Sequence, residues 1–131
     1  MNRMTLRNYR AMSLEAKQLK ELIEIIEARR KEPKGTKYTG MPTGKGGKND
    51  AMAATLARLE TLSNIYKEKE ERLLEESVEF EKAIASLLPF DRVIMRNRYT
   101  KALSWKAIAK EMDYSVQHLK NRHSEIVKKF D

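Results

Sequence analysis

A chain of 131 residues is long enough for one domain, or for a long helical body with a small module attached, and too short to bury a large enzyme pocket. Charged residues at 35% and apolar ones at 40% fit a helix-rich chain with wide solvated faces, and the absence of Cys excludes disulfides, a Cys-based zinc site and thiol catalysis. No apolar run approaches the ~20 residues needed to span a bilayer, and the start Met1-Asn2-Arg3-Met4-Thr5 has no hydrophobic signal core, so a cytoplasmic location is expected.

The first element is an amphipathic helix over roughly 4–31. Leu6, Tyr9, Leu19, Leu22, Ile23 and Ile26 recur at three- and four-residue steps, and Pro33 stops the run. All five glycines then fall between Gly35 and Gly47, with Pro33 and Pro42 in the same stretch. That composition propagates neither helix nor strand, so residues 32–49 read as a flexible connector. Tyr38 and Met41 within it are free to dock on a partner or back on the helices.

Asn49 and Asp50 offer N-cap oxygens for a second, long helix. Met52, Leu59, Tyr66, Leu73, Phe80 and Leu87 repeat along it at a strict seven-residue interval, with Leu56 and Ile84 on the same side. Ser63, Glu70 and Ser77 occupy the companion positions, so the seam suits one partner helix better than a self-sufficient coiled coil. The acidic face from Glu68 to Glu81 has no His at helical spacing and reads as solvated rather than metal-binding.

Pro89 breaks this helix and opens the next. Three short segments follow. Phe90 to Tyr99 is expected to bury Val93 and Ile94 and to expose Arg92, Arg96 and Arg98. Ser104 caps a helix from Trp105 to Met112, with Trp105, Ile108, Ala109 and Met112 inward. Asp113 and Tyr114 turn the chain, and Ser115 caps a helix from Val116 to about Phe130 that buries Leu119, Ile126, Val127 and Phe130. The chain is thus read as all-α. Residues 1–88 form a helical hairpin or coiled-coil body, and 89–131 a three-helix module.

The net charge of +8 is uneven: +4 over residues 1–31, +3 over 32–49, −4 over 50–88 and +5 over 89–131. A basic C-terminal piece beside an acidic helix is the asymmetry expected when one part meets phosphate and another does not, the alternative being a generic lysine-rich surface. A short helix, a tight turn and a capped second helix, with Ala109 at the close-packing position, is the sequence form of a helix-turn-helix. Ser104 and Ser115 place hydroxyls and free N–H groups where a DNA phosphate is held, with Lys106 beside them. The second helix would show the major groove Val116, Gln117, Lys120, Asn121 and Ser124, with His118 nearer a flank. Gln and Asn pair bidentately with adenine, and Lys reaches guanine acceptors. Three-helix units of this size also serve as pure protein-interaction modules.

The stretch Ile94-Met95-Arg96-Asn97-Arg98-Tyr99, then Leu103-Ser104-Trp105-Lys106-Ala107-Ile108-Ala109, then Met112-Asp113-Tyr114-Ser115-Val116-Gln117-His118 resembles region 4 of bacterial sigma factors. It resembles more closely the phage and prophage regulators of the ArpU and RinA type, small activators of late transcription. Tyr9-Arg10, Tyr38-Thr39-Gly40-Met41-Pro42 and Leu87-Leu88-Pro89 extend the resemblance upstream. It implies sequence-specific binding to a promoter or operator, with the helix from Val116 as reader. Three positions depart from that pattern. Ala102 stands where a helix-ending Gly is usual. Asp113 takes a turn position often held by Gly, which Asp tolerates. Arg122 replaces an apolar residue on the buried stripe, where it either reaches out to a phosphate or loosens the packing.

Other chemistry fails on spacing. Gly40, Gly44-Lys45 and Gly46 are one residue short of a phosphate loop, without the Ser/Thr and the preceding strand. His118 and His123 are five apart on one helix, ~140° around its axis, a poor pair of ligands for one metal. His123 reads as packed or solvent-facing, and Trp105 as a core anchor. Ser104, Ser115 and either His lack an orienting acid. No enzyme, cofactor or metal is expected. The partners expected are double-stranded DNA and, for an activator, RNA polymerase, with no membrane. The alternative class is an assembly protein, either a small terminase-like packaging subunit or an RNA polymerase adaptor. Because the shorter first helix leaves part of the Met52–Leu87 line uncovered, either the C-terminal module or a second chain covers the rest, and a homodimer is the arrangement favoured.

Overall fold

In the computed structural model the described residues are 1–31 and 47–131, and among them all regular structure is helical. The connector is therefore outside the described residues up to position 46, as are Tyr38 and Met41. Helix α1 runs Arg3–Lys31 and α2 runs Gly47–Ile84. The start of α2 precedes the expected caps, so Asp50 lies within its first turn, where a negative charge suits the helix dipole. The end of α2 also differs. The helix stops at Ile84 and turns through 3₁₀-like bonds, Leu87 N–H to Ile84 O at 3.0 Å, so that Leu87 lies beyond it.

Helix α3 is Pro89–Met95, with Pro89 in its first turn, where the missing N–H costs nothing. It continues without a break into one wide π turn, Arg96–Thr100, closed by Lys101 N–H to Arg96 O at 2.9 Å. Helix α4 is Trp105–Met112 and α5 is Val116–Val127. Both are capped as the sequence indicates: Ser104 Oγ accepts from Ala107 N–H at 3.2 Å, and Ser115 Oγ from His118 N–H at 3.1 Å.

Two compact units are present. Residues 17–68 make one, with Leu59 buried and Leu19, Ile23, Ile26, Leu62 and Tyr66 half-buried. Residues 1–16 and 69–131 make the other, so the packing does not divide at residue 88. Its main core draws Leu6 and Tyr9 from α1, Phe80 and Ile84 from α2, Leu87, then Met95, Tyr99, Ile126 and Phe130. The Tyr9 and Phe80 rings lie 4.8 Å apart, and Phe80 and Tyr99 6.0 Å apart, within the range of favourable aromatic contact. A Glu15–Lys69 ion pair joins the same two helices at the surface. The lower half of the heptad line, Phe80 and Leu87, thus packs on C-terminal residues.

A second core, Ile94, Ile108 and Leu119, wedges α3, α4 and α5 together, with Phe90, Leu103, Trp105, Ala109 and Met112 around it. Val93, expected inside, is exposed, and Met95 takes its place in the core. The inward stripe of α3 runs Asp91, Ile94 and Met95, the i, i+3, i+4 spacing of one helical face, and Val93 falls outside it.

Candidate nucleic-acid interface

The chain between α3 and α5 makes two left-handed turns with residues that carry a Cβ. Ala102 has φ 54°, and Asp113, which ends α4, has φ 59° and ψ 46°. These are the positions where the pattern that the sequence resembles usually has Gly, and a positive φ is the conformation that Gly adopts most easily. Asp113 N–H closes on Ala109 O, and Tyr114 N–H reaches the same carbonyl at 3.2 Å. The turn to Ser115 is therefore tight, and only this cap residue separates Tyr114 from α5.

Around α5, at ~100° per residue, the buried side is Leu119, Ile126 and the half-buried Arg122 and His123. Gln117, Lys120, Asn121 and Ser124 are all exposed and share the opposite face. Val116 is half-buried at its edge. His118 is exposed on a flank, stacked on Tyr114 at 5.2 Å with ring planes 16° apart, and 6.4 Å from Phe90. Ser104, Lys106 and Ser115 are exposed at the starts of α4 and α5. First-turn N–H groups at those ends, such as those of Lys106 and Gln117, have no intrahelical partner and point outward. Gln117 and Asn121 are joined directly, Nε2–H donating to Oδ1 at 2.8 Å. Lys128 continues the same face one turn beyond Ser124, paired to Glu125 at 3.2 Å. Helical spacing alone singles it out.

The arginines of this region are structural, contrary to expectation. Arg122 neither reaches out nor loosens the stripe. It makes a two-pronged pair with Asp91, 2.7 and 2.6 Å, tying α5 to the first turn of α3. Arg92 donates to Leu87 O at 2.5 Å, Arg96 grips Glu81 with two bonds of 3.0 and 2.7 Å, and Arg98 donates to Leu103 O at 3.1 Å. The Arg98 guanidinium also lies 4.7 Å from the centre of the Trp105 ring, and burial lowers its pKa. Arg92 and Arg98 satisfy backbone carbonyls and Arg122 a buried carboxylate, while the Arg96–Glu81 pair is a half-exposed contact. Arg10 of α1 completes the set by donating to Arg98 O at 3.1 Å and Leu103 O at 3.3 Å, which holds the segment leading into Ser104.

His123 is packed, not solvent-facing. It stacks on Tyr99 at 5.6 Å, meets Trp105 edge-on at 4.9 Å, and shares a 2.7 Å hydrogen bond between Nε2 and the Tyr99 hydroxyl. Burial, helped by the Arg98 charge, pushes its pKa down to about 4. Among the described residues no group of three or more His, Cys, Asp or Glu is placed to hold a metal, and no helix is long and apolar enough to cross a membrane. What the α5 face offers chemically is neutral amides, a hydroxyl and lysines. Compared with known protein families, curated proteins and solved structures, the chain shows no match.

Proposed function

We propose that this chain is a sequence-specific, double-stranded DNA-binding regulator of transcription, of the phage or prophage activator type that its sequence resembles. In this reading α1 and α2 form a hairpin body, α4 and α5 form a helix-turn-helix, and α5 enters the major groove. The observation that carries the reading is the composition of one surface: Gln117, Lys120, Asn121 and Ser124 stand together on the exposed face of α5, while its cationic neighbour Arg122 is turned inward. Amides and hydroxyls at groove-facing positions read base edges, and lysines at the rim meet phosphates. Ser104 and Ser115 fix the helix starts beside which phosphates would sit, with Lys106 adjacent. The Asp91–Arg122 pair ties α5 to α3, and Arg10 holds the segment that leads into Ser104, so both helix starts rest on anchored chain.

Duplex binding measured by fluorescence anisotropy at several salt concentrations tests it. With most arginines of the module committed internally, the phosphate contacts fall to Lys106, Lys110, Lys120 and Lys128. The logarithm of affinity should then fall against the logarithm of salt with a slope of roughly −3 to −4. A slope near zero, or no binding to selected duplexes, would overturn the proposal and favour an adaptor that touches only protein.

A further inference from the structure

The hydrogen bond between Gln117 and Asn121 changes what the two amides can do as readers. Free in solution, each carries one acceptor oxygen and an NH₂ group, and each alone can pair bidentately with adenine, whose major-groove edge offers the N7 acceptor and the N6 amino donor. In the structure Gln117 Nε2–H donates to Asn121 Oδ1 at 2.8 Å, one turn along the exposed face. That bond uses one Gln117 N–H and leaves its Oε1 and second N–H outward as an acceptor–donor pair. It also occupies the Asn121 carbonyl, so what Asn121 still offers outward is mainly its two N–H donors. The two side chains are both exposed and both on the face that lacks core contacts.

We infer that Gln117 reads one adenine through its Oε1 and Nε2, and that Asn121 is a positioning residue that holds the Gln117 amide in plane by accepting its other N–H. The inference rests on the DNA-binding reading above and deepens it by naming the base pair. The match is specific in chemical terms. Guanine presents two acceptors, N7 and O6, so the outward Gln117 Oε1 would face O6 with no proton between them. Thymine and cytosine present one polar group each and leave half of the pair unmet. Holding the amide before binding also removes rotamer freedom that a lone surface Gln would lose on contact.

The inference implies that the two residues act as one unit, so their substitutions are not additive. Selection from a random duplex library with the full chain, followed by anisotropy on duplexes changed at the preferred base pair, reads this directly. The wild type should prefer adenine at one position by roughly tenfold or more. Gln117→Ala and Asn121→Ala should each flatten that same position, and the double variant should be no flatter than either. Asn121→Asp keeps the acceptor and deletes the donors. It should weaken all duplexes alike by its charge and retain the adenine preference, an outcome a merely structural role for Asn121 would not give. Loss of the preference in Asn121→Asp would overturn the inference. So would a shift at a different base pair in Asn121→Ala, or an undiminished adenine preference in Gln117→Ala. Absence of salt-dependent duplex binding by the wild type would overturn the function with it, whereas binding with unaltered base preference in the variants overturns the pair alone.

Discussion

Asp91 and Arg122, 31 positions apart, form a two-pronged ion pair in which the carboxylate is 2% exposed and the guanidinium 38%. The asymmetry predicts unequal consequences for the two halves. Removing Asp91 leaves an arginine that can turn to water. Removing Arg122 leaves a carboxylate sealed in the α3–α5 junction without its hydrogen-bonded partner and with only the Lys129 charge acting in its favour, the costlier defect. Arg122→Met should therefore lower the thermal midpoint more than Asp91→Ala, and equal losses would show that the pair is merely a surface contact. The pair also sets a pH limit. The Arg122 hydrogen bonds, against the opposing effect of burial, hold the Asp91 carboxyl below the usual carboxylate range. Its stabilisation is then complete above ~3.9, the unfolded value, and is lost as pH falls from there through the folded value. Asp91→Ala should lack that part of the acid loss, so its stability deficit against the wild type, followed by circular dichroism, should shrink as pH falls below ~3.9.

Ala102 supplies the second prediction. At φ 54° its methyl group crowds the following carbonyl, a cost of roughly 1–2 kcal/mol that Gly avoids, while Gly gives back part of the gain by loosening the unfolded chain. Ala102→Gly should stabilise the protein by about 0.5–1 kcal/mol in a denaturant titration. Ala102→Val, with a β-branched side chain at the same angle, should destabilise it. Stabilisation by both would mean that the turn relaxes out of the left-handed region.

His123 makes stability depend on pH in a different window. Its folded pKa, about 4, lies below the unfolded value of ~6.5, so between these values the unfolded chain binds a proton that the folded chain refuses. Stability should be constant above ~6.5 and fall as pH is lowered towards 4. The loss should be roughly 1–2 kcal/mol once partial solvent access is allowed for. His123→Gln, which can still bond the Tyr99 hydroxyl, should remove that slope and leave the carboxylate-driven loss at lower pH. Urea midpoints at pH 7 and pH 5 for the two proteins check it.

What the sequence shows of this structure is what local chemistry controls. The stop at Pro33 anticipates the end of α1, the Ser104 and Ser115 hydroxyls mark two helix starts, and the positions where Gly was missing are the ones with positive φ. The polar face of α5 follows from helical spacing alone. The sequence is silent where the answer depends on residues far apart in the chain. Arg92, Arg96 and Arg98 are expected outside, and Arg122 is expected to reach a phosphate or to loosen the packing, because nothing nearby in sequence shows the Glu81 and Asp91 carboxylates or the Leu87 and Leu103 carbonyls within reach. Hydrophobicity alone favours Val93 inside, although the next two residues hold that face. The heptad line is continuous in sequence, yet Phe80 is buried on C-terminal residues while Met52 stays 59% exposed, because periodicity marks a face without naming what covers it.

That last point gives the most severe test of the architecture. If the C-terminal module were self-sufficient, residues 89–131 would fold alone. In the structure Met95, Tyr99, Ile126 and Phe130 form one side of a core whose other side is Leu6, Tyr9, Phe80, Ile84 and Leu87. A 43-residue fragment (89 to 131) would keep only the small Ile94–Ile108–Leu119 cluster and would expose four large side chains, each worth roughly 1.5–3 kcal/mol when buried. Chains of that size seldom hold a fold on one such cluster. The isolated fragment should therefore show little helix by circular dichroism and no cooperative melting. In the full chain, Tyr9→Ala or Phe80→Ala should each cost about 3–5 kcal/mol, as for large aromatic side chains removed from a packed core. Both should also weaken duplex binding, although neither residue lies near α5's exposed face. A fragment that melts cooperatively and binds DNA like the parent would show that α1 and α2 are an appendage. Failure of the fragment, with binding lost in step with stability in the two variants, would show that the ends of both long helices belong to the body that holds α5 in place.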